Sequence, residues 1–407
     1  MALLSIDRAL ELLLEQVSPK EDESVAVSRS LGRILSAGVH APGAYPHEAN
    51  SAMDGYALAA GAGPWSVVGE AAAGKLFDRA VREHQAVRIF TGGVLPEGTD
   101  SVLIQENAHR QGEQLSSIAP LIKGQHVRAA GSDLRAGDLL TAAGEPLTPS
   151  DLAALGGLGI ETVRCHRAPR VAIISTGDEV IPLGRSRQAG QVYNGNALFL
   201  EQAAQQAGGA IIESLHLSDH RADVDRALDR ITQQADLVLL SGGVSVGDHD
   251  HVGAALRARA DALMFYKVRM KPGKPVIAAQ CGGCVVLGLP GNPASTMVSF
   301  ELFARPVIRA MQGARRLHRS LYSAPCQAPL PGGRQRHELL RAQLRHGRLN
   351  VHARQGSGDL SSLLGVNALV ARPAHCDALP AGAPALYLAL FGPDATQPPE
   401  AQWEKIA

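Results

Sequence analysis

The chain has 407 residues and 39 Lys+Arg against 39 Asp+Glu, a zero formal charge that argues against attachment to nucleic acid or acidic membrane by bulk charge. At roughly 100–200 residues per domain this length corresponds to two to four domains with cores of their own, which excludes a metal- or disulfide-stapled miniprotein. The 45% hydrophobic content excludes extensive disorder, and 43 Gly beside only seven Phe, six Tyr and two Trp predict many tight turns and cores of small aliphatic side chains.

Five scattered cysteines form no disulfide framework and fit a reducing compartment, so a cytoplasmic protein is expected. Asp7, Arg8, Glu11 and Glu15 interrupt the N-terminal leucines, unlike a signal peptide, and no run approaches the ~18–20 uncharged apolar residues of a membrane span. Ser5 is placed to cap a first helix in which Ile6, Leu10, Leu13, Leu14 and Val17 recur with helical spacing, and Ser18-Pro19 ends it. From about 40 to 130, the runs WSVVG, QAVRIF, DSVLIQE and QLSSIA alternate with Gly/Pro turns and predict a compact β module. A Gly/Pro-punctuated stretch with one short helix and the strand ETVRC leads to about residue 165. From Arg170 to about Met311, strand-like RVAIIST, AIIESLHL, DLVLLSGG and ALMFYKVRM alternate with helical NALFLEQAAQQAG, ADVDRALDRITQQA and HVGAALRARA, and a long helix follows GNPAS. That alternation predicts a parallel sheet with helices on both faces. The remaining residues read as a small β domain.

Ligands of such sheets bind beyond the carboxyl ends of the strands, where loops open onto helix N-termini. Three loops should emerge there: Ser175-Thr176-Gly177-Asp178-Glu179, Ser241 to Asp250 (SGGVSVGDHD), and Leu289 to Ser295 (LPGNPAS). Their small residues let a phosphate approach the backbone, and the first two carry carboxylates suited to a divalent cation bridging that phosphate. A phosphorylated ligand with Mg²⁺ is the expectation. Gly and Asp also make ordinary turns and caps, so the conjunction of three loops at one edge carries it. Lys267, Arg269, Lys271 and Lys274 lie together among prolines, a cluster suited to a tetrahedral oxyanion.

Other matches are weaker. Gly69 to Leu76 (GEAAAGKL) follows a strand but has Leu76 where a P-loop needs a hydroxyl for Mg²⁺. Gly243-Val244-Ser245-Val246-Gly247 spells a nucleophile elbow, yet no oxyanion segment of the HGG type lies upstream and the helical run begins only after GDHD. Cys281-Gly282-Gly283-Cys284 reads as a two-residue hairpin, since a redox CxxC opens a helix and zinc needs more ligands.

Taken in order, NSAMDGYA, TGGVLPEGTD, GSD, STGDE, SGGVSVGDHD, MKPGKP, LPGNPAS and GSGDLSSL resemble the motifs of the molybdopterin molybdenumtransferase family, the MoeA type, shared by the C-terminal region of gephyrin. The resemblance implies a multidomain α/β plus β fold. Its parts would be a central doubly wound three-layer α/β/α molybdopterin-binding domain (167–318), an inserted β-rich domain (25–133), an elongated N-terminal dimerisation domain (1–24 with 134–166) and a C-terminal β-barrel-like domain (319–407). It also implies transfer of molybdenum from molybdate to the dithiolene of adenylyl-molybdopterin with Mg²⁺-dependent release of AMP. The enzyme would be a homodimer whose cleft joins the α/β domain of one subunit to the β module of the other, in contact with the pathway's adenylyltransferase. Residue by residue, the match carries over Asp54, Thr91, Asp133, Glu179, Asp219, Asp250, Lys267 and Lys271 as catalytic. Gly242, Gly243, Ser245, Lys274, Pro290, Asn292, Pro293, Arg341 and Ser361 would bind substrate. Glu179, Asp219 and Asp250 would hold Mg²⁺, with Asp248 nearby, and Ser357 and Ser362 stand as alternatives to Ser361. His251 departs from the aromatic frequent after Asp250, and Glu48-Ala49 departs from the acidic residue frequent before Asn50-Ser51. An adenylyltransferase sharing the α/β unit, or a non-catalytic scaffold, are the competing readings.

Overall fold

The computed structural model describes residues 3–72, 74–243, 251–392 and 394–404. The chain divides into two compact units, one of Met1–Ala37, Ala143–Thr148 and Arg164–Ala407, the other of Gly38–Ala142 and Pro149–Val163. Among the described residues no helix is long and apolar enough to cross a membrane.

Helix α1, Ile6–Leu14, starts where the Ser5 side chain accepts from the Arg8 amide at 3.1 Å. Its apolar stripe of Ile6, Ala9, Leu10 and Leu13 is buried in the main core of the first unit, as the spacing predicts.

The second unit is built on a six-stranded sheet of β1 (Gly55–Leu58), β2 (Trp65–Ala71), β3 (Gln85–Ile89), β4 (Ser101–Ile104), β5 (Ala108–Gln111) and β6 (Gln114–Ser117), in the order β4-β1-β3-β2-β6-β5. The four apolar runs read from the sequence supply β2, β3, β4 and β6. Successive side chains point to opposite faces, so Leu58, Trp65, Ala86 and Leu103 pack on one side while Ala57, Val87, Ile89 and Val102 pack on the other. Helix α2, Pro149–Gly157, belongs to the same unit. After β2 the chain turns tightly, with the Lys75 amide donating to the Ala72 carbonyl at 2.9 Å. No helix follows among the described residues, so the phosphate-loop match is coincidental.

The first unit carries a second six-stranded sheet. Its strands are β7 (Arg170–Thr176), β8 (Ala210–Leu217), β9 (Leu237–Ser241), β10 (Ala262–Tyr266), β12 (Ile277–Cys281) and β13 (Cys284–Leu289), in the order β8-β7-β9-β13-β12-β10. Between β10 and β12 lies the short strand β11, Met270–Lys271, which belongs elsewhere. Helices α3 (Gly195–Gln206), α4 (Arg221–Ile231) and α5 (His251–Arg259) cross between strands. The last crossing continues from α6 (Pro293–Ser299) through a π-helical turn (Phe300–Ala304) into α7 (Arg305–Met311), which together form the long closing helix. One sheet face, through Val171, Ile173, Leu237 and Leu239, packs with α1, α3, α6 and α7. The other, through Ala172, Ile174, Val238 and Leu240, packs with α4 and α5. Central β9 and β13 are buried throughout, as parallel strands covered on both faces must be.

Two expectations change. The sheet is mixed, because β12 pairs antiparallel with both β10 and β13. ALMFYKVRM is not one strand either. Lys267 has φ of +70°, β10 ends at Tyr266, and β11 pairs in parallel with His337–Glu338 of the C-terminal sheet. That sheet also contains β14 (Leu321–Pro325), β15 (His337–Arg345), β16 (Arg348–Val351), β17 (Ala368–Arg372) and β18 (Pro384–Ala389), ordered β11-β15-β17-β18-β14 with β16 beside β15.

At the amino-terminal edge of the α/β sheet, Asp236 is 4% exposed and accepts from Arg167 Nη1 at 2.6 Å and from the Arg170 amide at 2.7 Å, with Lys20 Nζ 3.5 Å away. Burial raises its pKa, but the hydrogen bonds from Arg167 and Arg170 outweigh burial and hold the carboxyl well below its ordinary range. Its contribution to stability is therefore complete above roughly pH 4 and is lost as pH falls below that towards the folded-state value. Asp236→Ala is expected to lose about 1–3 kcal/mol at pH 7 by leaving the Arg170 amide without its acceptor and the partly exposed Arg167, Arg170 and Lys20 without their shared carboxylate. Urea unfolding checks this, and a loss below about 0.5 kcal/mol, as at an ordinary surface position, would deny the network a structural role.

Candidate functional site

Three neighbouring strands end level with one another. Ser175 on β7 registers with Ser241 on β9, and Ser241 registers with Leu289 on β13. The STGDE, SGGVS and LPGNP loops therefore leave side by side at the carboxyl edge. β7 lies between β8 and β9 in the sheet, so the chain reverses direction there, which is where ligands of open α/β sheets bind.

The first two loops approach each other closely. Gly242 has φ of +100°, and a Cβ there would stand 2.7 Å from the Thr176 carbonyl oxygen. Gly243 has φ of +63°, and its Cβ would stand 3.1 Å from Thr176 Oγ1. Glycine is required at both positions. The Thr176 hydroxyl oxygen, buried beside these two glycines, has no hydrogen-bond partner among the described residues. Such an orphan donor next to bare backbone fits an incoming phosphate oxygen.

The acidic part is split across loops. Asp178 and Asp219 embrace: the Asp178 amide donates to Asp219 Oδ2 at 3.3 Å and the Asp219 amide to Asp178 Oδ1 at 3.2 Å. Glu179 is exposed and folds back over Gly177, whose φ of +136° and missing Cβ leave room for the carboxylate. Asp248, Asp250 and Ser245 lie outside the described residues. Hard carboxylate oxygens are the right donors for Mg²⁺, although among the described residues no three acidic, His or Cys side chains already converge as a metal group.

Asn292 precedes α6. Its Nδ2 donates to Ser357 Oγ at 3.1 Å, and the Ala294 amide donates to the Ser357 carbonyl at 3.0 Å, which joins LPGNP to the late GSGDL segment. Pro290 and Pro293 hold this loop, with the Thr296 hydroxyl donating to the Pro290 carbonyl at 2.6 Å.

The lysines do not form one open cluster. Lys267 lies over the Tyr266 ring, 4.5 Å from its centroid, while Lys274 is exposed. Lys271 Nζ donates to Glu338 Oε1 at 2.9 Å, and Arg372 contacts the same carboxylate. Burial would raise Glu338, but the bonds from Lys271 and Arg372 prevail and keep its carboxyl below the ordinary range. Lys271, Glu338, Arg341, His352 and Arg372 stand in the wall of one cavity of about 420 Å³. Arg341 is itself fully buried, donating to the Gly356 carbonyl at 2.8 Å and to Ser362 Oγ at 3.0 and 3.1 Å. Ser361 is exposed, and Ser362 is the serine in contact with Arg341. Burial lowers the Arg341 pKa.

In the second unit, Asp54 Oδ1 accepts from both the amide and the hydroxyl of Thr91 at 2.8 Å. These two bonds keep the Asp54 carboxyl below its ordinary range. Asp133 is exposed, its amide donating to the Tyr45 carbonyl at 3.1 Å.

Sequence reasoning gave Asn194 no role and placed Asn196 only as the first residue of a helical run. Asn194 caps α3 and gives Nδ2 to Ser175 Oγ at 2.8 Å, while Asn196 Nδ2 reaches both Ser241 Oγ at 2.9 Å and the Gly291 carbonyl at 2.6 Å. Asn before an apolar period is a cap signal, but nothing local foretells the contacts across strands. Cys281 and Cys284 are register partners across a two-residue hairpin, as expected. Burial pushes the Cys284 thiol up to about 12 and also raises Cys281, which leaves both poorly nucleophilic.

This is an α/β protein with flanking β sheets whose ligand edge suits a phosphorylated molecule. Residues 4–159 match the model of the MoeA N-terminal region (domain I and II), residues 172–310 that of a probable molybdopterin binding domain, and residues 323–390 that of the MoeA C-terminal region (domain IV). The chain is 35% identical over 319 residues to the molybdopterin molybdenumtransferase of Haemophilus influenzae, covering 77% of this chain and 79% of that one. It is 32% identical over 356 residues to molybdopterin molybdenumtransferase 2 of Mycobacterium tuberculosis, covering 84% and 88%. The crystal structure of a molybdopterin biosynthesis moeA protein from Pyrococcus horikoshii OT3 matches with a TM-score of 0.83 at 26% identity, covering 95% of this chain and 100% of that one. The chain belongs to the MoeA family.

Arg341 offers a direct check on the site. Arg341→Met should destabilise the protein by about 1–3 kcal/mol in denaturant unfolding, because Ser362 and the Gly356 carbonyl lose a buried donor. A surface-presented arginine would change stability by less than about 0.5 kcal/mol.

Proposed function

We propose that this protein is a molybdenum insertase of molybdenum cofactor biosynthesis, transferring molybdenum from molybdate to the dithiolene of adenylyl-molybdopterin with release of AMP. The observation that carries the proposal is the level ending of β7, β9 and β13 at Ser175, Ser241 and Leu289, which sets three loops suited to phosphate side by side in a member of the MoeA family.

In this reading Gly242, Gly243 and Ser245 receive the phosphates, and Pro290, Asn292 and Pro293 shape the neighbouring wall. Glu179, Asp219 and Asp250 hold Mg²⁺, which when bound neutralises charge on the pyrophosphate as AMP departs. Lys267, Lys271 and Lys274 concentrate molybdate and orient it. Arg341, being buried, supports Gly356 and Ser362 beneath the late loop, where Ser361 is exposed. Asp54, Thr91 and Asp133 act in the same reaction. The chemistry is positioning and electrostatics, so no protein nucleophile is needed. The proposal extends to a cytoplasmic homodimer of four-domain subunits divided near residues 24, 133, 166 and 318, with a C-terminal barrel-like domain and contact with the pathway's adenylyltransferase.

The test is AMP release from adenylyl-molybdopterin with Mg²⁺, with and without molybdate. Wild type should release AMP in a molybdate-dependent manner, and Asp219→Ala or Asp250→Ala should lower the rate on the order of 10²–10³-fold. Wild type that releases no AMP, but forms adenylyl-molybdopterin from ATP, would replace this reading with the adenylyltransferase.

A further inference from the structure

The three loops are tied to one another by a single short segment outside them. Ser175 and Ser241 are 2% and 3% exposed, so their hydroxyls need partners within the protein. Ser175 Oγ donates to the Leu215 carbonyl at 3.2 Å, lies 3.2 Å from His216 Nδ1, and accepts from Asn194 Nδ2. Two residues on, Asn196 uses its amide nitrogen twice, for Ser241 Oγ and for the Gly291 carbonyl. The Gly291 carbonyl can only accept, so the NH₂ side of the Asn196 amide must face it. One carboxamide thus links the start of the SGGVS loop to the middle of the LPGNP loop, and its neighbour links the same helix end to the start of STGDE. The Gly242 amide, at 3.3 Å from the Leu289 carbonyl, is the long backbone bond between the second and third loops. Asn196 therefore supplies the shorter of the described ties between them.

We infer that Asn194 and Asn196 form a positioning element that sets the spacing of the three loops, with Asn196 the decisive member. This rests on the proposed molybdenum transfer for its kinetic consequence, though the tie itself does not. Phosphates and carboxylates held on separate loops react at a rate set by their mutual placement, and a displacement near 1 Å costs roughly 10²-fold. Both contacts of the Asn196 amide nitrogen and the described contact of the Asn194 amide nitrogen are made to the protein itself. Aspartate at 196 would set two acceptors, a carboxylate and the Gly291 carbonyl, face to face and drive the loops apart. Aspartate at 194 still caps α3, but it has no N–H for Ser175 Oγ, whose single proton would have to leave the Leu215 carbonyl to bond it.

The full-length chain is compared as wild type, Asn196→Asp, Asn196→Ala and Asn194→Asp, with rates expressed per folded molecule from circular dichroism. Both Asn196 variants should lower kcat for molybdate-dependent AMP release about 10²-fold, with KM for adenylyl-molybdopterin within about threefold of wild type, the pattern of a geometry needed in the transition state. Asn194→Asp should lower kcat by less than either Asn196 variant, because the α3 cap survives and only the bond to Ser175 is lost or exchanged. Hydrogen exchange on the free protein supplies a readout independent of activity: the Gly242 amide, which donates to the Leu289 carbonyl between the second and third loops, should exchange faster in Asn196→Ala while the strands β7 and β9 stay protected. Folded Asn196 variants with wild-type kcat, or a loss matched by the folded fraction alone, would overturn the kinetic role. Unchanged exchange at Gly242 would overturn the tie even if wild type released no AMP, a result that would separately sink the insertase reading. If Asn196→Asp does not fold, Asn196→Ala decides by the same two measurements.

Discussion

The alignment of three parallel strand ends governs the rest of the α/β unit. Hydrogen bonding fixes Ser175, Ser241 and Leu289 in one row, and the buried apolar faces on both sides of the sheet hold that register against slippage. Once the row is set, STGDE, SGGVS and LPGNP cannot avoid one another. Gly242 and Gly243 are then compulsory, because both have positive φ and a Cβ would strike the Thr176 carbonyl at the first and the Val252 side chain at the second. The phosphate-suited character of the edge thus follows from sheet geometry and two glycines.

Charge in the first unit is arranged by depth. At the amino-terminal edge, Asp236 is buried and fully engaged by Arg167, Arg170 and Lys20, which makes a structural clamp. At the carboxyl edge, Glu179 remains exposed and Asp178 and Asp219 are held mainly by each other's amides, which leaves carboxylate oxygens available for a cation. The basic residues divide in the same way. Lys274 is open, Lys271 is shared with Glu338, and Arg341 is committed to the interior. Burial, rather than residue type, separates a ligand-facing charge from a scaffold charge.

Much of this was legible from residue pattern. The apolar runs marked four of the six strands of the second unit's sheet and the parallel strands β7, β8 and β9 of the α/β sheet, Ser5 and the 3.6-residue period marked α1, and Gly282-Gly283 marked the hairpin that pairs Cys281 with Cys284. Ordered motifs carried the family, and the family matches agree. Misreadings arose where a local pattern continued across a tertiary boundary. ALMFYKVRM has unbroken strand character, yet the left-handed backbone at Lys267 ends one strand and β11 joins another sheet. The all-parallel expectation also failed, although the Gly282-Gly283 hairpin already requires Ile277–Cys281 to run antiparallel to β13.

By itself the sequence determined the kinds of element, the chemistry each loop could offer and the family, because those depend on periodicity, turn residues and short ordered motifs. It could not decide which charged side chains face a ligand. Arg341 and Ser361 look equivalent to any surface pair until β15 and the 360s loop come together and bury the first while exposing the second. Nor could it show that Asn194 and Asn196 reach three loops, since Ser175, Ser241 and Gly291 are separated from them by 19, 45 and 95 residues. Contacts between residues so far apart in the chain exist only after the sheet has set its strand order. The tertiary structure alone decided these contacts and which of these side chains are buried.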